Sequence, residues 1–513
     1  MDYLLGIDVG STSMKALIFD LDGNLAFNGS YPTSSTQQFP DQPSWQVYDP
    51  EHIWEGVSSS IKQAVSRLGP SDRIVAAAVT GLGVDAVPLD RNGVPVYPFI
   101  NWLCNRTTPQ YERWLEEVGL ERTMRITGWQ PFVWNTVFRI QWLRENEPEL
   151  YQKIDKWLVV EDYVNYRLTG KISTDYTSAS PTLLFDQNTL TWSEELLALA
   201  GIDKDHLPVP QASGSFVGEV STEAAERTGL QPGTPIFHGG HDYLVGAMAA
   251  GAIKPGTLLD VTGTWELVIT PTGTLKYSDK VREFGLTVET HAAPGMYTMW
   301  AGGTSASMLE WYKDQIASDT QEQATGGEFW AKLMEQAASS PPGANGVMFL
   351  PHFNGASSPM LDPRSLGAFI GLNDFSKRAD LTRAVIEGLN YAFLDMVHAL
   401  EIGSGLNFEK IMVIGGGTRN EFWMQNKADV SGLPVATLMI EESTALGAAI
   451  LAGLGAGVYE NLGDAIKRVT KPGKIFEPDL ELTRAYQENF ELYKALYPAL
   501  RDVNHKLHAR FKL

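Results

Sequence analysis

The sequence predicts an α/β protein of two domains facing each other across a cleft. Three observations predict it: a length of 513 residues, a hairpin motif that recurs about one domain further along, and glycine-rich turns where apolar strands end. A single core usually stops growing at ~250–300 residues, so a chain of this length divides.

The elements follow in order. YLLGIDVGSTSMKALIFDLDGNLAFNG, from Tyr3 to Gly29, reads as strand, tight turn, strand, Asp-Gly turn, strand. IWEGVSSSIKQAVSRLG has helical periodicity. A helix-rich and Trp-rich insert from about Trp102 to Thr191 completes a first domain over 1–247. GTLLDVTGTWELVIT, from Gly256 to Thr270, repeats the strand, Asp, small polar turn, strand pattern, so that DVGSTS at 8–13 faces DVTGTW at 260–265. Recurrence at this spacing predicts two domains built on one plan, their paired turns forming a nucleotide clamp. The second domain, 248–455, alternates strands with the helices LTRAVIEGLNYAFLDMVHALEIG and STALGAAILAGLGAG, which argues for α/β layers. A helix-rich tail, 456–513, packs on the domains, and its basic end reads as a solvated helix face.

Charge and composition narrow the function. Lys plus Arg total 40 against 61 Asp plus Glu, a net charge of −21 that repels polyphosphate backbones and argues against nucleic acid as a partner. One cysteine, Cys104, forbids an intrachain disulfide. No apolar run approaches the ~18 residues a membrane span needs, and the N-terminus lacks the features of a signal peptide. The expectation is a cytoplasmic protein with no membrane partner.

An acidic chain that binds an anionic nucleotide needs local help from backbone N–H groups, a lysine or a cation. Gly10 and Gly263 allow the backbone to approach phosphate oxygens, with Ser11, Thr12, Ser13 and Thr264 as hydroxyl donors and Lys15 as a point charge. Asp8, at a strand end, either holds Mg²⁺ through water or caps the turn. A third glycine turn lies in KIMVIGGGTRNEFWMQNKADVSGLPV, 410–435. It lacks the G-x-G-x-x-G spacing of a dinucleotide site, and Gly415, Gly416 and Asn420 are assigned to the adenosine.

HGGHDYLVG, 238–246, places Asp242 after two glycines and a histidine and before an apolar small-residue helix. Three readings compete: a helix cap, half of a metal site, or a general base beside a close-approaching substrate. No second His or Cys stands at ligand spacing, which disfavours zinc. His241 is either a satisfied core histidine or a substrate hydrogen-bond partner.

GAFIGLNDFSKRADLTRAVIE, 367–387, WNTVFRIQWLREN, 134–146, and the three turns together resemble the FGGY carbohydrate kinases of the actin-like ATPase (ribonuclease H-like) superfold. The resemblance covers nearly the whole chain. Its implication is a kinase that transfers the γ-phosphate of Mg-ATP to a small-molecule sugar, with Asp242 as catalytic base and, with Asp8, a metal ligand. Gly83-Val84-Asp85, His241-Asp242 and Gly263-Thr264-Trp265 are most similar to the family's kinases of L-fuculose and L-rhamnulose, which implies a ketose or deoxyketose. The Gln-Met-His of xylulokinases is absent after Gly81. Xylulose, ribulose, gluconate and polyols remain the alternatives within the family. On the sugar side the resemblance implies Gly83, Asp85, Trp102, Arg106, Trp134, His241, Asp242 and Tyr243, with Trp102 and Trp134 as ring walls and Arg106 as a hydrogen-bond fork. A homodimer is common in the family. The rival classes are an actin-like ATPase and a sugar sensor without kinase activity.

Overall fold

A computed structural model describes residues 1–318, 326–440 and 442–511. Its first sheet begins as a meander, β1 (Asp2–Val9), β2 (Ser13–Asp20) and β3 (Leu25–Pro32). Helix α1 (Pro50–Val65) follows, its first turn capped by Asp49, which accepts from the Glu51 N–H at 3.0 Å. Strand β4 (Arg73–Gly81) then lies parallel to β1. The insert supplies α2 (Thr108–Glu117), α3 (Leu120–Thr127) and α4 (Thr136–Asn146), and α5 (Val160–Thr169) returns to the sheet. Strands β5 (Phe216–Glu219) and β6 (Pro235–His241) complete it, in the order β5-β6-β4-β1-β2-β3. Helix α6 (Asp242–Ala249) starts where β6 stops.

The second sheet repeats this plan. β7 (Leu258–Thr262), β8 (Trp265–Thr272) and, after the edge strand β9 (Thr287–Thr290), β10 (Tyr297–Thr304) form its meander. The long buried helix α7 (Arg378–Ser404) precedes β11 (Ile411–Ile414), which pairs parallel with β7 as β4 does with β1. Helix α8 (Glu421–Ser431) leads to β12 (Val435–Leu438), parallel to β11. The recurrence of the hairpin in sequence is thus a recurrence of topology.

Helix α9 (Ser443–Gly455) differs in placement from the boundary drawn at 455. Its alanines and leucines pack with α6 against Leu4, Leu17, Ala76 and Phe237 of the first sheet. The opposite side of α6, through Ala247, meets Leu259, Ile269 and Ile414 of the second. Small residues on both helices allow this close stacking, which places the N-terminus of α6 between the sheets. The helix-rich tail also carries one strand: β13 (Pro472–Phe476) adds an edge strand against β12 before α10 (Leu480–Phe511). Tyr486, Phe490 and Tyr493 of α10 bury their rings against Tyr391 and Leu394 of α7, each contributing roughly 2–3 kcal/mol of apolar burial. The insert has its own aromatic core, with Trp114, Trp129, Trp142, Trp157 and Trp192. Among the described residues no helix is long and apolar enough to cross a membrane.

Candidate active site

The two glycines of HGGHD perform different tasks. A Cβ at Gly239 would lie 2.3 Å from the Val79 carbonyl of β4, so β6 approaches its neighbour more closely than any side chain allows. Gly240 has φ +109° at a register shift in the β6–β4 ladder. There the strand turns its last residues outward. Thr177 secures the bulge, accepting the His241 N–H at 2.8 Å and donating to Asp175 at 2.6 Å.

Asp242 is therefore presented at the first position of α6, one residue inside the cap position that His241 occupies. The cap reading shifts accordingly: the Asp242 carboxylate accepts the adjacent Tyr243 N–H at 2.6 Å and stays about a third exposed. Burial of the site pushes its pKa up to about 6, against that hydrogen bond. His241 is buried, and its pKa is driven down to about 3 by burial, so the imidazole is neutral and its 3.8 Å approach to Asp242 is no ion pair. Its Nδ1 has no hydrogen-bond partner, and its ring lies over Gly83, where a Cβ would sit 2.7 Å from Nε2.

Asp8 stands opposite Lys15 in the β1–β2 ladder. Burial first, then the charge of Asp242, raises its pKa to about 7, while Lys15 pulls it down. Asp8 near the end of β1 and Asp242 just after β6 put two carboxylates at the same edge of the first sheet, a donor set suited to Mg²⁺, which keeps several waters beside one or two protein carboxylates. Among the described residues no cluster of three or more His, Cys, Asp or Glu forms a fuller cage. The Gly10 N–H is not available to a phosphate, because it closes the turn onto the Ser13 carbonyl at 3.1 Å. Thr33 straps the same turn, donating its hydroxyl to the Gly10 carbonyl and its N–H to that of Thr12. Ser11 and Thr12 remain exposed at the tip, with Ser13 half-buried behind them.

The second hairpin has diverged. Asp260, which aligns with Asp8, is fully buried and paired with Lys427, whose ammonium also reaches Glu266 at 2.5 Å. The turn itself is held by the helix that follows β10: the Ala306 N–H donates to Gly263 at 3.1 Å and the Ser307 N–H to Thr264 at 3.3 Å. The Thr264 side chain faces out. Gly415 and Gly417 are packed against Thr262, with Cβ positions that would fall 2.4 Å from its carbonyl oxygen and its Cγ2. Of the three glycines only Gly416 borders open space. Asn420 caps α8 through the Trp423 N–H at 3.0 Å, so its carbonyl oxygen is already engaged.

On the acceptor side, Asp85 is buried beside Arg139 at 3.2 Å and accepts the Trp102 N–H at 3.2 Å. Burial raises its pKa to about 7 although Arg139 opposes this. Trp102 is exposed, and Trp134 stacks on Phe132 at 4.9 Å and meets Trp129 edge-on. Arg106 is a correction. Its guanidinium is buried between Trp45 and Trp142 and donates through Nε and Nη1 to Cys104, Gln38 and Tyr97, so it braces the insert with most of its fork engaged, Nη2 alone lacking a partner. Residues absent from the sequence reading also meet here. Glu289 accepts from Tyr243, from Trp300 at 2.7 Å and from Trp129 at 3.1 Å. A lone acid inside the short apolar strand TVET was the available signal. Glu442, which pairs with Lys15, gave none.

The chain matches the N-terminal domain of the FGGY family of carbohydrate kinases over residues 3–249 and its C-terminal domain over 258–456. The xylulose kinase of Staphylococcus epidermidis is 29% identical over 507 residues, 98% of either chain. The glycerol kinase of Thermococcus gammatolerans is 32% identical over 494 residues, 93% of this chain and 94% of that one. The solved xylulose kinase from Rhodospirillum rubrum superposes with a TM-score of 0.89 at 29% identity, covering 98% of this chain and 100% of the other. With two α/β domains of the actin-like ATPase plan, the first carrying both Asp8 and Asp242, the chain belongs to the FGGY family of carbohydrate kinases.

Proposed function

We propose that this kinase transfers the γ-phosphoryl group of ATP to a hydroxyl of a ketose of the xylulose type, with Asp242 as base. The observation that carries the assignment is the position of Asp242, at the start of α6 between the two sheets, with Asp8 on one side and the aromatic cluster on the other. Phosphoryl transfer asks a protein chiefly for positioning and charge neutralisation. As the acceptor oxygen bonds to the γ-phosphorus, its proton passes to the Asp242 carboxylate, and the bridging oxygen leaves with ADP. The Tyr243 N–H and the helix N-terminus favour the ionised base. Mg²⁺ at Asp8 and Asp242 would neutralise phosphate charge. Ser11, Thr12 and Lys15 from one hairpin, and Thr264 and Gly416 from the other domain, are the groups left to meet the nucleotide.

Xylulose kinases among the relatives support the pentulose over the deoxyketose that Gly-Val-Asp and His-Asp suggested. The deoxyketose is the second reading, favoured by rings suited to a methyl group and by His241 seated on Gly83. The test is ADP release over D-xylulose, L-fuculose, L-rhamnulose, D-ribulose, glycerol and gluconate. D-Xylulose is expected to give the highest kcat/KM, by about tenfold. A higher value for a 6-deoxyketose would reverse the two readings, and no sugar-dependent ADP release would remove both.

A further inference from the structure

Glu289 is a carboxylate where a side chain of its size would ordinarily be apolar. It is fully buried in β9, the edge strand of the second sheet. Taking such a group out of water costs several kcal/mol unless donors satisfy it, and a hydrophobic replacement would often serve stability as well. Three donors do satisfy it, and they come from three separate elements: the Tyr243 hydroxyl of α6, the Trp129 indole after α3 and the Trp300 indole of β10. Tyr243 immediately follows Asp242.

The strand carrying Glu289 is fastened to the insert along its free edge. The Val288 N–H donates to the Gly128 carbonyl at 2.9 Å, and the Thr290 N–H donates to Gln187 at 2.9 Å. Between these two anchors the carboxylate reaches across to the first domain. The rings it holds touch one another edge to face: Trp129 with Trp300 at 5.5 Å, Tyr243 with Trp300 at 5.9 Å, Trp129 with Trp134 at 5.8 Å. Trp134, Tyr243 and Trp300 are each only half-buried, and Glu289 fixes the polar ends of Tyr243 and Trp300 inward while ring surface stays exposed near Asp242.

We propose that Glu289 is a positioning and specificity-determining residue, a hub that fixes Tyr243, Trp129 and Trp300 as one wall built from both domains, against which the acceptor sugar packs next to Asp242. This deepens the proposed function and rests on its assignment of Asp242 as the base and of a sugar as acceptor. A network in which every donor is satisfied specifies one arrangement of its rings, whereas an apolar core of the same volume admits several. The acceptor is held equally in ground and transition states by such a wall, so its loss appears in KM and not in kcat.

The experiment is steady-state kinetics on Glu289→Gln, Tyr243→Phe and the double variant, using the best acceptor of the panel above, with near-ultraviolet circular dichroism on each protein. Glu289→Gln is expected to raise the acceptor KM by about tenfold while kcat and the KM for ATP change by less than about threefold. Tyr243→Phe keeps both ring and carboxylate, and is expected to raise the acceptor KM in the same direction. The double variant should be no worse than the more affected single one, because both act through one contact. Acceptor KM unchanged in both single variants overturns the proposal, as does a parallel loss in KM for both substrates, which a merely structural role produces. If the wild type turns over no sugar, the proposed function fails by itself, and the spectrum decides for Glu289: diminished indole fine structure in Glu289→Gln supports the hub, and an unchanged spectrum overturns it.

Discussion

The Lys15 ammonium lies 2.9 Å from each carboxylate oxygen of Glu442, a residue 427 positions away that stands at the entrance to α9. Both side chains are about a third exposed, at 34% and 31%. The cation offered to a triphosphate by the first hairpin is therefore shared with a carboxylate from the far end of the chain, and the nucleotide must compete for it. Partly exposed pairs of this kind are worth ~0.2–1 kcal/mol, which corresponds to a factor of roughly 1.4 to five. Glu442→Gln is expected to lower the KM for ATP by about that factor, and Lys15→Met to raise it, with the acceptor KM unmoved in either. A higher ATP KM in Glu442→Gln would mean that Glu442 orients Lys15 and does not compete for it.

Asp242 is the base in the proposed reaction. Its pKa of about 6 lies above the usual carboxylate range, and the base works only when ionised, so kcat/KM is expected to rise with pH through about 6 and to flatten above it. Asp242→Asn keeps shape and removes the base. Its kcat should fall by ~10² or more while ATP still binds, measured by turnover and by nucleotide titration. Near-wild-type turnover in the amide variant would assign the proton to another group.

How much of this was legible in the sequence depends on whether a feature is local. The β1–β2–β3 meander, the α1 and α7 periodicities and the recurring hairpin are written in short-range patterns, and each appears where the pattern stands. The strand end before Asp242 was legible because two glycines precede it, Gly239 allowing a close approach to β4 and Gly240 the bulge. What stayed hidden is what distant segments do to one another. DVTGTW copies DVGSTS, yet Asp260 is buried and neutralised by a lysine 167 residues away, so identical letters carry different tasks. The local engagements of Asn420, which caps α8, and of the Gly10 N–H, which closes its own turn, were likewise not evident from the letters. The switch of α9 to the first sheet is set by packing that no window of sequence contains.

Arg106 tests the difference between a sugar contact and a brace. Its planar cation stacks at 4.7 Å on Trp45 and 5.0 Å on Trp142, and its Nε and Nη1 donate to protein atoms, while its buried Nη2 has no partner. Lysine provides charge without the flat face or the fork. Arg106→Lys is accordingly expected to destabilise the protein by about 1–2 kcal/mol in denaturant unfolding, with the acceptor KM within about twofold of wild type. A large rise in acceptor KM at unchanged stability would restore Arg106 to the sugar site.

Lys427 presents the sharpest energetic contrast. It is fully buried, faces Asp260 and Glu266, and its ammonium sits 3.9 Å from the Phe393 ring centre. Those two acids stand on β7 and β8, at either side of the Thr262-Gly263-Thr264 turn, while Lys427 belongs to α8 behind the Gly415–Gly417 turn. One cation thus clamps together the two turns of the second domain proposed to meet the nucleotide. Removing one member of a buried ion cluster leaves uncompensated charge, at a cost of about 3–5 kcal/mol. Lys427→Met, similar in volume, is expected to lower stability by that amount and to raise the KM for ATP more than the acceptor KM, since the clamp lies on the nucleotide side. The triple variant Lys427→Met, Asp260→Asn, Glu266→Gln removes the stranded charges and should recover most of the stability. It should not recover the ATP KM, because the turns would still lack their tie. Full recovery of both would assign the cluster to stability alone.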